Sequence, residues 1–415
     1  MPFIHILIVG GGIAGPVAAF WLANAGHNVT IIERAPGLLK AGQGIDIEGP
    51  ARVIIEKMGL LEQMKARATN EGGFAFADDD GKPIASIAGG LTQDIEIMRG
   101  DMCEVLCNAA DQYDNVSFRY NTRITELHQM DNQVEVFFDD GTQAMYDAVI
   151  GADGMRSRTR DLAFDEKTKA NAFRAREHYC AYFSIPAEEG DRPNSRWQHA
   201  TRGRSILLRP HTDEISSAYL MQMDKSDELA AACRASKDVQ KTAMAKTFEG
   251  VGGLAPRLVK GMLESENFYY DSISQIKLDK WSEGRVALVG DAAYAPSAIS
   301  GQGVILSVLG AYTIAGELAE NPEDPIAAFK AYEAKLRSFV EKQQYIPFNG
   351  NAPRLANPLT SWGIWAARLA FRIIAWTGIW KLINTKGSKY PLPECVQFTL
   401  VEALVPTTTQ SSTST

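Results

Sequence analysis

The apolar run Ile4 to Val9 leads directly into Gly10-Gly11-Gly12-Ile13-Ala14-Gly15, and this junction restricts the fold more than any other stretch. The run is short and rich in branched residues, as a strand buried on both faces of a parallel sheet requires. Gly10, Gly12 and Gly15 stand at G-x-G-x-x-G spacing between that strand and a helical run reaching Ala25. The first glycine permits the tight turn, the second lets backbone approach a pyrophosphate, and the third lets helix and strand pack closely. The helix start offers free N–H groups and a partial positive charge. A second strand, Val29 to Ile32, ends at Glu33-Arg34, where the acid can accept hydrogen bonds from a ribose diol. Gly10, Gly12, Ala14, Gly15, Glu33 and Arg34 are therefore expected to hold an adenine dinucleotide. The motif alone fits NAD and FAD equally.

A chain of 415 residues, 45% apolar and 22% charged, has the composition of a soluble globular protein of two or three domains. Its net charge of −8 argues against nucleic acid as a partner. The five cysteines, Cys103, Cys107, Cys180, Cys233 and Cys395, are odd in number and scattered, without a C-x-x-C. That pattern predicts neither a disulfide framework nor a metal site, and it suits a reducing, cytoplasmic setting. The N-terminal apolar run lacks a basic flank and is read as a strand, not as a signal peptide.

Further along, apolar residues at helical spacing predict a helix over about 50–66, and Asp80-Gly81 marks a hairpin turn within 72–97. Arg99 opens a helix, and 116–149 reads as strands. Gly151-Ala152-Asp153-Gly154-Met155-Arg156-Ser157-Arg158-Thr159-Arg160 is a second motif. Strand-like segments fill 173–224 and helical ones 226–264. The third motif repeats the logic of the first: a buried strand to Val289, then Gly290-Asp291, then Pro296 and Ser300-Gly301-Gln302-Gly303 before another helix. Helices are expected to about Glu320 and again from Pro325 to about Tyr345.

In this order and at these separations the three motifs resemble the group A FAD-dependent monooxygenases of the p-hydroxybenzoate hydroxylase type, close to the tetracycline-inactivating flavin monooxygenases. The likeness spans about residues 3–345. It implies an α/β fold: a Rossmann-like FAD-binding domain of the GR2 type, an interleaved β-sheet substrate domain, and C-terminal helices. It also implies that Gly10, Gly12, Gly15 and Glu33 hold the ADP half of FAD. Asp153 and Gly154 would serve FAD and the passing approach of NADPH or NADH, Asp291 the ribityl chain, and Pro296, Gly301 and Gly303 the border of the flavin ring. Arg99 fits an arginine reaching the flavin's phosphate or ribityl region, and Asp46 a flavin-proximal position; a surface ion pair and a turn cap are the plainer readings of these two. One departure stands out. Where many relatives carry two prolines and a Phe before Gly-Gln-Gly, this chain has Pro296-Ser297-Ala298-Ile299-Ser300.

The implied chemistry is hydroxylation or epoxidation of a small apolar or aromatic molecule, in secondary metabolism or xenobiotic breakdown. NAD(P)H reduces FAD, O₂ adds at flavin C4a, and the resulting hydroperoxide transfers one oxygen atom. The cofactor carries that chemistry, so no catalytic residue is assigned. A reductase or dehydrogenase of the same fold that does not activate O₂ shares every motif. A flavin halogenase is disfavoured because W-x-W-x-I-P is absent, and an idle FAD-holding scaffold would not need the intact Gly151 to Arg160 segment.

Domain limits expected from this pattern are 1–72, 98–172 and 270–345 for FAD, 73–97 and 173–269 for substrate, 346–405 for a C-terminal helical segment, and 406–415 for a disordered tail. Alternation in the middle strands offers Tyr182, Arg204 and Tyr219 as substrate-pocket candidates, with Met221 and Met223 on the face of Tyr219. The Trp-rich stretch 362–383 is long enough to span a bilayer, but Arg368 and Arg372 fall in its middle. Packing over the FAD domain or a partner subunit is the preferred reading, and peripheral membrane contact the alternative. The chain is expected to be a monomer or homodimer.

Overall fold

The computed structural model describes residues 3–38, 42–69, 72–88, 95–223, 225–347, 357–379, 390–393 and 398. The tail 406–415, and residues 380–383 of the Trp-rich stretch, lie outside the described residues.

The chain opens with β1 (His5–Val9), α1 (Ala14–Asn24) and β2 (Asn28–Ile32). Pro16 is tolerated in α1 because it falls in the first turn, where its missing N–H has no intrahelical partner. Then come β3 (Gly44–Asp46), α2 (Gly49–Lys57) and α3 (Leu61–Ala66). The single helix expected over 50–66 is thus two. Gly59 takes φ +73°, a left-handed conformation that ends the first helix and lets the second set off at Leu61.

The hairpin β4 (Gly73–Ala77) and β5 (Pro83–Ala88) turns where Asp78 Oδ1 accepts the N–H groups of Asp80 and Lys82. Next are β6 (Glu96–Met98), α4 (Arg99–Ala110) and β7 (Val116–Arg119). The antiparallel meander β8 (Ile124–Gln129), β9 (Val134–Phe138), β10 (Gln143–Tyr146) follows, and β11 (Ala148–Gly151) returns beside β1. After α5 (Arg158–Ala163) and α6 (Glu166–Ala170) come the long antiparallel strands β12 (Phe173–Pro186), β13 (Asn194–Ala200), β14 (Arg204–Pro210) and β15 (Ile215–Gln222). Three helices, α7 (Asp227–Ala232), α8 (Lys237–Thr247) and α9 (Ala255–Glu264), precede β16 (Phe268–Ile276). The chain continues through β17 (Ser282–Glu283), β18 (Val286–Leu288), α10 (Asp291–Tyr294), α11 (Gly303–Glu320), α12 (Pro325–Gln343) and α13 (Ser361–Thr377).

Two sheets organise these elements. One is six-stranded, in the order β17-β18-β11-β1-β2-β7, and parallel except for the β17–β18 pair. The other is seven-stranded, in the order β16-β12-β15-β14-β13-β4-β5, and antiparallel except where β13 meets β4. A two-stranded ribbon, β3 with β6, lies between them in sequence.

The largest core sits where α1 and α11 pack together under the parallel sheet. Val17, Trp21, Ile305 and Leu309 are fully buried there, and Trp21 meets Tyr312 edge to face at 5.2 Å. Phe398 covers Trp21 from the C-terminal end of the chain. On the seven-stranded sheet, side chains alternate between two apolar clusters. Ile206, Leu208, Ala218 and Leu220 pack on α7 to α9, while Leu207, Tyr219 and Met221 face the other way. That second face also receives Phe371 of α13, so α13 seats on the seven-stranded sheet and not over the parallel sheet as preferred from sequence. Arg368 is not free to ride in a bilayer: it pairs with Asp79 at 2.7 Å.

Candidate active site

The four central parallel strands end level with one another, with Val9 opposite Ile32 and Gly151, and Gly151 opposite Leu288. Each motif lies within two residues of a strand end: Gly10 after β1, Glu33 after β2, the Asp153 loop after β11, and Gly290-Asp291 after β18. Sequence order thus becomes one carboxyl edge, where open α/β sheets bind ligands.

At the first turn Gly10 has φ +115°, and a Cβ on it would lie 2.6 Å from the Ala152 carbonyl oxygen. A Cβ on Gly15 would lie 2.0 Å from the Gly10 carbonyl oxygen, so α1 can pass this close only with glycine there. Gly12 differs: no described atom lies within 4 Å of where its Cβ would be, so its backbone fronts open space. Ala14 opens α1, no side chain caps that helix, and its first turn holds no acid. Its N–H groups and positive dipole end remain available to an anion. Glu33 closes the turn from β2, with Oε2 accepting the Gly11 N–H and Oε1 the Ala35 N–H, both at 2.9 Å. Arg34 beside it is exposed.

The second motif is folded largely upon itself. Asp153 accepts the Ser157 hydroxyl at 2.5 Å and the Thr159 N–H at 2.9 Å, while Gly154 turns at φ +80°. Burial pushes the Asp153 carboxyl up, and these hydrogen bonds oppose the shift. Its carboxylate therefore shapes the loop. Arg160 ties the loop to the third motif by donating to the Ala292 carbonyl at 2.8 Å.

In the third motif Gly290 (φ +64°) sits against Ala14 and Ser307, which joins the starts of α1 and α11. Asp291 follows, and burial pushes its carboxyl above the usual range while the Arg99 guanidinium pulls it back. Burial also works against the charge on Arg99, yet Cys103, Tyr269 and Asp291 hold that guanidinium above its ordinary value. Pro296 is buried and its carbonyl accepts from Gln275 at 2.9 Å. Ser297 then takes φ +93°, a conformation the fixed ring of proline could not adopt. Gly301 is left-handed at φ +68°, Gly303 opens an uncapped α11, and no described atom would meet a Cβ on either.

Facing this edge, the seven-stranded sheet presents a single transverse row of register partners: Tyr269, Tyr182, Tyr219, Leu207, Trp197, Phe76 and Ala85. The Tyr182 and Tyr219 rings meet at 5.0 Å, and Phe76 and Phe371 at 4.2 Å. Burial pushes the phenols of Tyr182, Tyr219 and Tyr269 up, so all three stay neutral donors at neutral pH. Tyr269 is nevertheless 39% exposed, and it lies within electrostatic reach of Arg99 and Asp291 at the carboxyl edge. The Tyr219 hydroxyl accepts the Gly44 N–H at 3.2 Å, and Asp46 lies on the same short strand, half-buried and in register with Glu96.

Comparison with known proteins decides the family. The FAD binding domain model matches residues 4–343. The chain belongs to the group A FAD-dependent monooxygenases. Monooxygenase CTB7 of Cercospora beticola is 43% identical to it over 407 residues, spanning 94% of this chain and 97% of that protein. FAD-dependent monooxygenase asL4 of Sarocladium schorii is 30% identical over 404 residues, spanning 90% and 93%. Among solved structures, the tetracycline destructase Tet(51) superposes with a TM-score of 0.79 at 30% identity, covering 95% of this chain and all of its own.

For a monooxygenase of this family the residues present fit FAD. Gly10 and Gly15 admit no side chain, Gly12 faces open space, the uncapped start of α1 lies against Gly290, and Glu33 closes the turn. One expectation is corrected. Arg204 does not face the flavin edge, because its guanidinium donates to the carbonyls of Thr201 at 2.9 Å and Thr247 at 3.1 Å. It shares the parity of Ile206 and Leu208, hence the helix-packed face. The arginine of β14 that shares the monooxygenase recess is Arg209, on the parity of Leu207, and it pairs with buried Glu96 at 2.5 Å. Counting two residues on from Leu207 would have found it.

Proposed function

We propose that this monooxygenase consumes NAD(P)H and O₂ to hydroxylate or epoxidise a small apolar, aromatic molecule. The transverse row from Tyr269 to Phe76 carries this reading. It offers a wall of stacking rings opposite the carboxyl edge, with the phenols of Tyr269, Tyr182 and Tyr219 at one end and the apolar side chains from Leu207 to Ala85 at the other. Tet(51) is a tetracycline destructase, and tetracycline is a polycyclic molecule of the kind such a wall accommodates.

When bound, FAD supplies the redox chemistry: it takes two electrons from NAD(P)H and delivers one atom of O₂ to substrate, the other leaving as water. This chain's own residues bind and exclude. Glu33 and the Gly10–Gly15 turn hold the adenosine and pyrophosphate end. Asp291 and Arg99 would hold the ribityl chain, and Gly301 and Gly303 would leave room for the ring. Tyr182, Tyr219 and Trp197 orient an aromatic substrate and keep water from the reacting centre. With neutral phenols on this wall, orientation is the protein's main contribution.

The test is to follow NADPH and NADH oxidation and O₂ uptake by the purified yellow protein across a panel of polycyclic aromatic and terpenoid compounds. The proposal expects uptake of O₂ stimulated by the aromatic members. Rapid bleaching by NAD(P)H, followed by slow reoxidation indifferent to every compound, would contradict it.

A further inference from the structure

Helix α13 carries two apolar faces, and the first is accounted for. Ile364 and Phe371 are buried against the seven-stranded sheet, and Arg368 anchors the same side to Asp79. On the other side Trp362, Trp365, Leu369, Ile373 and Trp376 recur at three- and four-residue spacing and are between 41% and 87% exposed. Ile379, just past the left-handed Gly378 that ends the helix, is 53% exposed. Three exposed tryptophans on one helix form a patch that a soluble surface does not ordinarily leave bare.

The sequence that carries it is one-sided in charge. Although the chain carries −8 overall, residues 343–393 contain no Asp or Glu and six basic residues: Arg354, Arg368, Arg372, Lys381, Lys386 and Lys389. Arg372 is exposed on α13 itself. With Arg368 already held by Asp79, a second copy seated on this face would bring the two Arg372 side chains together with no acid from either stretch to pair them. An anionic lipid surface supplies the missing charge and suits tryptophan, whose ring settles at the headgroup level. A span is excluded by geometry. Seventeen helical residues reach only about 25 Å, short of a hydrocarbon core of about 30 Å, and one flank is fixed to protein.

We infer that α13 docks this protein on an anionic membrane surface, lying in the plane of the interface with Trp362, Trp365 and Trp376 inserted and Arg372 against the headgroups. The opposite flank of the same helix reaches the aromatic row through Phe371, so docking holds the substrate recess beside the lipid. The inference concerns the surface alone and stands apart from the oxygenation proposed above.

The experiment is co-sedimentation of the full-length, FAD-bound protein with large vesicles of phosphatidylcholine alone or mixed equally with phosphatidylglycerol. The protein is expected to pellet with the anionic vesicles and to be partly released by high salt. Trp362→Ser/Trp365→Ser/Trp376→Ser should weaken vesicle binding about tenfold or more while keeping the flavin spectrum. Arg372→Gln should weaken it about fivefold. Failure to pellet with either lipid, equal pelleting with both, or unchanged binding by the triple variant overturns the inference. So does sedimentation velocity showing a dimer that the triple variant dissolves, which would assign the face to a second copy.

Discussion

Arg209 on β14 and Glu96 on β6 stand 2.5 Å apart, both largely buried, and their ion pair ties the seven-stranded sheet to the strand that launches Arg99. Thr69 donates a further hydrogen bond to Glu96 at 2.7 Å. A buried pair adds little net stability but is costly to break, because the remaining charge is left without compensation. Glu96→Ala should therefore destabilise the fold by about 3–5 kcal/mol, read from urea unfolding midpoints. Arg209→Met/Glu96→Leu should recover most of that loss. Arg204→Ala, on the helix-packed face, should leave substrate-stimulated O₂ uptake near wild type.

The cradle glycines differ in what they exclude. Gly15→Ala places a methyl 2.0 Å from a backbone oxygen and should cost about 1–3 kcal/mol of stability even without FAD. Gly12→Ala meets no described atom, so the apoprotein should unfold as wild type does. Its methyl occupies the approach to the pyrophosphate. Loss of one charge-assisted hydrogen bond, about 1.5–3 kcal/mol, corresponds to roughly ten- to a hundredfold weaker FAD binding by flavin fluorescence titration.

Ser297 stores backbone strain at φ +93°. Ser297→Gly should raise apoprotein stability by about 1 kcal/mol, after the extra flexibility of glycine in the unfolded chain is set against the relief. Ser297→Pro, which restores the residue type of many relatives, should be markedly destabilising because proline cannot take this φ. Thermal melts of the two apoproteins measure both.

Asp291 sets a pH dependence. Burial raises its folded-state pKa above the 3.8 of the free side chain, so the folded protein holds this proton to higher pH than the unfolded chain. Its contribution favours folding at low pH and is lost as pH rises through the folded value. Asp291→Asn removes that titration. The variant's apoprotein stability relative to wild type should climb as pH rises above 3.8, and level off once the raised folded-state value is passed. A pH series of urea melts gives the slope, while FAD binding by the variant should fall.

The motifs were legible because each is a run of consecutive residues whose chemistry does not depend on distant partners. Gly10 to Gly15, Gly151 to Arg160 and Gly290-Asp291 all end strands whose level edges follow from the buried apolar runs before them. The aromatic row was only half visible. Alternation put Tyr219, Met221 and Met223 on one face, but the register that lines up Tyr269, Tyr182, Tyr219 and Trp197 is set by pairings among five strands. Arg209 stayed hidden because its meaning depends on Glu96, far off in the chain, while Arg204 looked equivalent by composition. The seat of α13 was misjudged for a related reason. Its tryptophans dominate the sequence, yet the contact that fixes it is made by Phe371 and Arg368 on the opposite side.

One atom of O₂ is expected to enter an aromatic substrate at this site, and mass spectrometry of the product formed under ¹⁸O₂ decides whether it does. The expected result is one ¹⁸O per product molecule, independent of the isotopic composition of the water. A product free of label, with all of the ¹⁸O recovered in peroxide or water, would contradict the oxygenation proposed for this chain.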